Sequence, residues 1–195
     1  SNFYKLEEPV MTNTRKMATV AVLAALSFLL MFYQIPLIAE FLKLDFSIIP
    51  ILLALVLLDF KSSVAVLLIR SVLKLALNGH GVETLIGMPI NIAAILVFVI
   101  FFALFWEKKR DLTSYLLASF LGTLSLTASM LVLNAFYAIP LYARFANFDI
   151  GQVFGVGKYL LTMIVPFNLL EGVIWATVFW LIYKLLQPVL KRYEK

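Results

Sequence analysis

The chain has 195 residues, 63% of them hydrophobic and 14% charged, with a formal net charge of +5 and a mean hydropathy of +1.00. A soluble domain carries about 45–50% apolar and about 25% charged residues, so the composition excludes an ordinary soluble protein and makes the lipid bilayer a partner. With no cysteine, disulfides, thiolate chemistry and cysteine–zinc sites are excluded, and in a membrane chain the basic excess sets orientation and does not point to nucleic acid.

Residues 1–14, opening "SNFYKLEEPV", show no core-forming pattern and are expected to be a flexible N-terminal tail. Residues 15–195 are expected to form a single all-α membrane domain with six transmembrane helices: 15–34, 46–58, 62–78, 84–106, 112–137 and 158–184. Met17 to Ala39, Thr84 to Trp106 and Leu112 to Ala143 contain no Asp, Glu, Lys or Arg, and about 20 mostly apolar residues suffice to cross a bilayer core. The first run is too long for the apolar region of a signal peptide, and no small-residue cleavage pattern follows it. On that helix Ala18, Ala21 and Ala25 share one stripe, and Ala21 with Ala25 forms a small-xxx-small pair that lets another helix approach closely. The second helix is short, confined between Asp45 and Asp59. The connection before it, "QIPLIAEFLKLD", is expected to dip into the membrane, which irregular backbone tolerates only where protein or a cavity covers it.

An even number of spans places both termini on one side. The connections on that side hold Arg15, Lys16, Lys61, Lys108, Lys109, Arg110, Lys184, Lys191, Arg192 and Lys195; the others hold Lys43, Lys74, Arg144 and Lys158. The positive-inside rule makes the first set, and both termini, cytoplasmic. The segment "LKLALNGHGVETLIGMPIN" (residues 73–91) then lies at the outer surface. There Gly79, Gly81 and Gly87 are expected to let the backbone turn, and Pro89 to mark the start of helix four.

Several chemistries are missing. "GQVFGVGKY" lacks the Gly and the Ser or Thr that a phosphate loop needs, having Gln152 and Tyr159 at those positions. His80 and Glu83 stand three residues apart, but a metal site needs three or four ligands, and no metal site is expected. Arg70 and Glu171 are the charges well inside spans, so no carboxylate pair is available for intramembrane proteolysis, and the chain is not read as an enzyme. A self-sufficient secondary transporter would show a membrane-embedded carboxylate or ion site near the midplane; Glu171 alone offers one, which keeps that reading as the alternative.

What remains is a set of hydrogen-bonding groups near the outer helix ends: Asn78, Asn91, Asn134, Tyr137, Tyr142, Thr162, Asn168 and Glu171. An unpaired buried amide costs about 1–3 kcal/mol. Such amides serve either as glue between helices or as the lining of a ligand cavity. Clustering beside the aromatic stretch "AFYAIPLYARFANF" favours the cavity. Amides, aromatic rings and aliphatic walls suit a neutral, flat, hydrogen-bonding molecule, because an Asn can meet an imide edge as donor and acceptor together.

"KMATVAVLAALSFLLM", "LKLDFSIIPILL", "LIRSVLKLAL" and "YLLTMIVPFNLLEGVIWA", in this order and spacing, resemble the substrate-binding S component of energy-coupling factor (ECF) vitamin transporters, in particular the riboflavin-specific kind. The resemblance runs from Thr14 onward. It implies a bacterial plasma-membrane protein that takes riboflavin from outside as transported substrate, with no cofactor. It also implies a transmembrane coupling subunit and two cytoplasmic ATPases as partners. By position it places Asn168 of "PFNLLEG" and Asn134 in the pocket, Leu44 and Asp45 where the first loop covers the flavin, and Glu83 beside the ribityl chain; Asn78 is expected to face the same chain and the Gly79 turn to offer its backbone amide to the ligand. Asn91, Tyr142 and Glu171 complete the implied site, although the family pattern at 171 is often basic, as in "PFNLIKG". The stripe Ala18, Ala21 and Ala25 becomes the implied docking face for the coupling subunit.

Overall fold

A computed structural model describes residues 11–192. The first ten residues of the expected tail lie outside the described residues, and Asn13 and Thr14 already belong to the first helix. Helix α1 (Asn13–Leu30) starts at Thr12, whose hydroxyl accepts the Arg15 N–H at 3.3 Å, a conventional N-cap.

The connection after α1 is regular. Strands β1 (Ile35–Leu37) and β2 (Ala39–Leu44) form an antiparallel hairpin with Ile35 opposite Leu44 and Pro36 opposite Lys43. The chain reverses through Ile38 at φ 63, a conformation that β-branched residues rarely adopt. The fold is thus helical with one small hairpin, because pairing the two strands satisfies backbone groups that an irregular loop would leave open.

Helix α2 (Ile48–Leu57) is buried at every position except Leu53 and Leu57. A helix that is apolar all round belongs in the interior, and α2 packs between α1, α3, α4 and α9. Asp59 then caps α3 (Phe60–Leu77), accepting the Ser62 N–H at 2.7 Å. Gly81, at φ 79, precedes α4 (Val82–Phe105), where a left-handed residue suits glycine. Gly87 and Pro89 lie inside α4, so neither marks a turn or the helix start. Helix α4 forms anyway because its long apolar run outweighs one proline.

Asp111 caps α5 (Leu112–Leu133), which continues through a π turn (Asn134–Ala138) into α6 (Ile139–Phe145). After α7 (Ile150–Phe154) and α8 (Val156–Tyr159), a second π turn (Leu160–Ile164) leads into α9 (Val165–Leu190). The last two helical runs are therefore longer than their apolar patterns suggested: 34 residues over Leu112–Phe145 and 35 over Val156–Leu190. At a rise of 1.5 Å per residue each spans about 50 Å, well beyond a hydrocarbon core of about 30 Å.

Among the described residues, three helices are long and apolar enough to cross a membrane: Val82–Phe105, Leu112–Phe145 and Val156–Leu190. Helices α1 and α3 have 18 residues each but carry Arg15, Lys16, Lys61, Arg70 and Lys74. Below the hairpin end, α4, α5 and α9 share a buried aromatic layer. Trp106 packs edge-on against Tyr115 and Tyr183 at 5.2 and 5.0 Å, and Phe98 against Trp175 at 5.5 Å.

Candidate binding cavity

A cavity of about 480 Å³ lies at the hairpin end, within the size range of small-molecule sites. Helix α4 supplies Glu83, Gly87, Ile90, Asn91 and Ala94, a spacing of three and four residues that keeps them on one face. Met130 and Asn134 come from α5 and its π turn by the same rule. Ile164, Phe167, Asn168 and Glu171 come from the α9 side.

The two π turns shape this wall. A π turn inserts one residue into a helix and re-aims the side chains around it, often at functional sites. Asn134 begins one such turn and donates its Nδ2–H to the Met130 carbonyl at 2.8 Å. Asn168 follows the other and donates to the Ile164 carbonyl, also at 2.8 Å. Both residues are buried, at 7% and 3% exposure. One N–H of each amide is spent on the helix, which leaves its oxygen and its second N–H for the cavity.

The mouth is aromatic. Phe41 of β2 lies parallel to Tyr159 with centroids 6.2 Å apart, and 5.7 Å from Phe154. These contacts pin the hairpin to α7 and α8 and give the cavity a flat wall, completed by Tyr142 and Phe148. The floor is closed: one turn below Ala94 and Glu171 stand the buried rings of Phe98 and Trp175. The Trp175 Nε1–H donates to the Asp45 carbonyl at 2.9 Å. Such a cavity can hold one flat molecule against rings and meet its polar edge with fixed amides.

Residues 15–183 match the family described as the substrate-specific component of ECF transporters. The chain belongs to that family. Its relatives are transporters, not enzymes. It is 56% identical over 182 residues to the riboflavin transporter RibU of Streptococcus thermophilus, covering 92% of this chain and 86% of the relative. A riboflavin transporter RibU of Leuconostoc mesenteroides is 40% identical, with 94% and 96% covered. A solved chain from work on the structure and mechanism of the S component of a bacterial ECF transporter superposes with a TM-score of 0.75 at 27% identity. That match covers 92% of this chain and 99% of the other.

In this S component the sequence-derived site residues divide into two groups. Glu83, Asn91, Asn134, Tyr142, Asn168 and Glu171 line the cavity; Leu44, Asp45, Asn78 and Gly79 do not. Leu44 closes the hairpin and is buried at 2% exposure, while the Asp45 carboxylate turns back to accept the Ser47 N–H at 2.9 Å. The hairpin residues that do face the cavity are Phe41, Leu42 and Lys43. Asn78 ends α3, its N–H bonded to the Lys74 carbonyl, and Gly79 is exposed beyond it. Of the other polar groups, Thr162 is exposed and back-bonded to the Lys158 carbonyl, and the Tyr137 hydroxyl donates to the Ile86 carbonyl. Phe41, Phe148 and Tyr159 were not singled out by the sequence; a pair of aromatic-rich segments flanking apolar helices was the available signal. Ala18, Ala21 and Ala25 are exposed along α1, while Leu23, Ala24 and Ser27 face inward.

Proposed function

We propose that this S component binds riboflavin in the cavity at the hairpin end. The observation that carries the reading is the pair of buried amides, Asn134 and Asn168, each anchored by one N–H to a helix carbonyl and each lining a cavity walled by flat rings. Riboflavin presents an imide N–H that an amide oxygen can accept, a tricyclic ring for Phe41 and Tyr159, and a polyol chain for the polar mouth near Glu83. The identity of the similar transporters supports the same ligand.

In the full reading the chain spans the membrane six times, with α1, α2 and α3 completing the set, both termini in the cytoplasm and the cavity opening outward. The asymmetry of basic residues supports this orientation. Riboflavin enters from outside and is delivered inward when a transmembrane coupling subunit and two ATPases are bound. The exposed small-residue face of α1 supports docking of that subunit. Cysteines placed at His80 and Lys109 test the orientation: only the first should react with an impermeant reagent in intact cells.

The ligand is tested by purification and titration. Protein purified from riboflavin-replete cells is expected to be yellow, with flavin approaching one per chain, and stripped protein should quench flavin fluorescence on titration. Colourless protein that fails to quench flavin removes riboflavin as the ligand.

A further inference from the structure

Arg70 of α3 is completely buried, at 0% exposure, and lies behind the cavity wall, not on it. Its Nη1 donates to the Ser47 hydroxyl at 3.1 Å. Its Nη2 donates to the Ser71 hydroxyl at 2.9 Å and to Asn91 Oδ1 at 2.7 Å. One guanidinium thus joins α3, the start of α2 and the cavity-lining face of α4.

A guanidinium has donors and no acceptor. Asn91 must therefore turn its oxygen toward Arg70, and the group it has left for the cavity is its NH₂. Asn134 and Asn168 differ, since each spends one N–H on the helix and keeps both its oxygen and a second N–H. A charge-assisted bond is about twice as strong as a neutral one, so the Asn91 amide is held against flipping. Packing alone does not call for this arrangement: burying a guanidinium is costly, and among the described residues no carboxylate forms an ion pair with it, Asp45 acting only at longer range.

We infer that Arg70 is a positioning residue that fixes Asn91 as a hydrogen-bond donor to a carbonyl-type acceptor of the bound ligand. The inference rests on the reading of the cavity as a flavin site. A flavin's imide edge alternates carbonyl, N–H and carbonyl, so a donor fixed at Asn91 favours a ligand that presents a carbonyl there over a flat molecule that presents an N–H.

Asn91→Asp tests the polarity. It keeps an oxygen for Arg70 but has no N–H to give, so thermal stability in detergent should be retained while flavin affinity, read by fluorescence quenching, falls about tenfold or more. Arg70→Met tests the positioning. It should weaken flavin binding in the wild-type background and cause no further loss in an Asn91→Leu background, although a purely structural role would lower both alike. Wild-type affinity in Asn91→Asp overturns the inference, as do Arg70→Met and Asn91→Leu losses that multiply. If Arg70→Met is not recovered folded, Asn91→Asp decides alone. A wild-type chain that does not quench flavin sinks the riboflavin reading and this inference together, whereas normal wild-type binding with an unaffected Asn91→Asp sinks only the latter.

Discussion

Gly172 marks a close approach of α9 to α5, and Gly172→Ala measures how much the cavity depends on that contact. A Cβ there would stand 2.4 Å from Thr123 Oγ1, 2.7 Å from its Cγ2 and 2.9 Å from its Cβ. Rotating the Thr123 side chain can carry one of Oγ1 and Cγ2 away but not both, because two heavy atoms share three staggered positions. The third contact is fixed to the α5 backbone, so the helices must separate. Overpacking of this kind costs about 1–3 kcal/mol, and the better helix propensity of alanine offsets about 0.8–1.0 kcal/mol. The expected net loss is up to about 2 kcal/mol, which lowers the unfolding midpoint by up to roughly 8 °C for a chain of this size. Thermal unfolding in detergent reads it directly. Because Asn168 and Glu171 precede Gly172 on the same helix and line the cavity, flavin affinity should fall in step. Adding Thr123→Ala removes Oγ1 and Cγ2 but leaves Cβ, so it should restore part of the stability. A Gly172→Ala protein above the wild-type midpoint would refute the close α5–α9 contact.

Asn134→Leu and Asn168→Leu each remove one acceptor from the cavity. A lost hydrogen bond with an unpaired ligand group is worth about 1–3 kcal/mol, or roughly 10- to 100-fold in affinity by fluorescence titration; unchanged affinity in both would take these residues out of the site. Ala21→Trp on the exposed α1 face should leave flavin binding and thermal stability intact while abolishing ATP-driven uptake and co-purification with the coupling subunit. Full uptake by that variant would show that the face is not where the subunit docks. At the opposite end of the bundle, Asp59 pairs with Lys16. Burial raises its carboxyl pKa, but bonds from Lys16 and Ser62 outweigh this and hold it at about 2 against an ordinary 3.8. A depressed folded pKa means that its contribution is complete above 3.8 and is lost as pH falls through 2. The pair is partly exposed, so the loss should stay below about 1 kcal/mol. Asp59→Asn should flatten that part of the acid limb of a midpoint-against-pH curve; an unaltered limb would show that the pair contributes nothing.

The sequence by itself determined the membrane character, the predominantly helical fold and much of the cavity wall. Charge-free runs make each remaining polar residue conspicuous, and Glu83, Asn91, Asn134, Asn168 and Glu171 stood out against an apolar background for that reason. Helix periodicity is a local property, so residues three and four apart could be assigned to one face before any packing was known. Tertiary structure decided what periodicity does not encode. The hairpin turned Leu44 and Asp45 inward and sent Phe41 and Lys43 to the cavity, since strand pairing sets side-chain direction by register. The π turns joined shorter helices into the last two long helical runs, and Asn134 and Asn168 each spend one N–H on the carbonyl four residues earlier. Asn78 and Gly79 lie near the cavity in sequence order but cap α3 outside it. The polarity of Asn91 depends on a guanidinium from another helix. Such pairings bring together residues distant along the chain, and the free energy that selects them comes from burying their elements together, so no local pattern announces them.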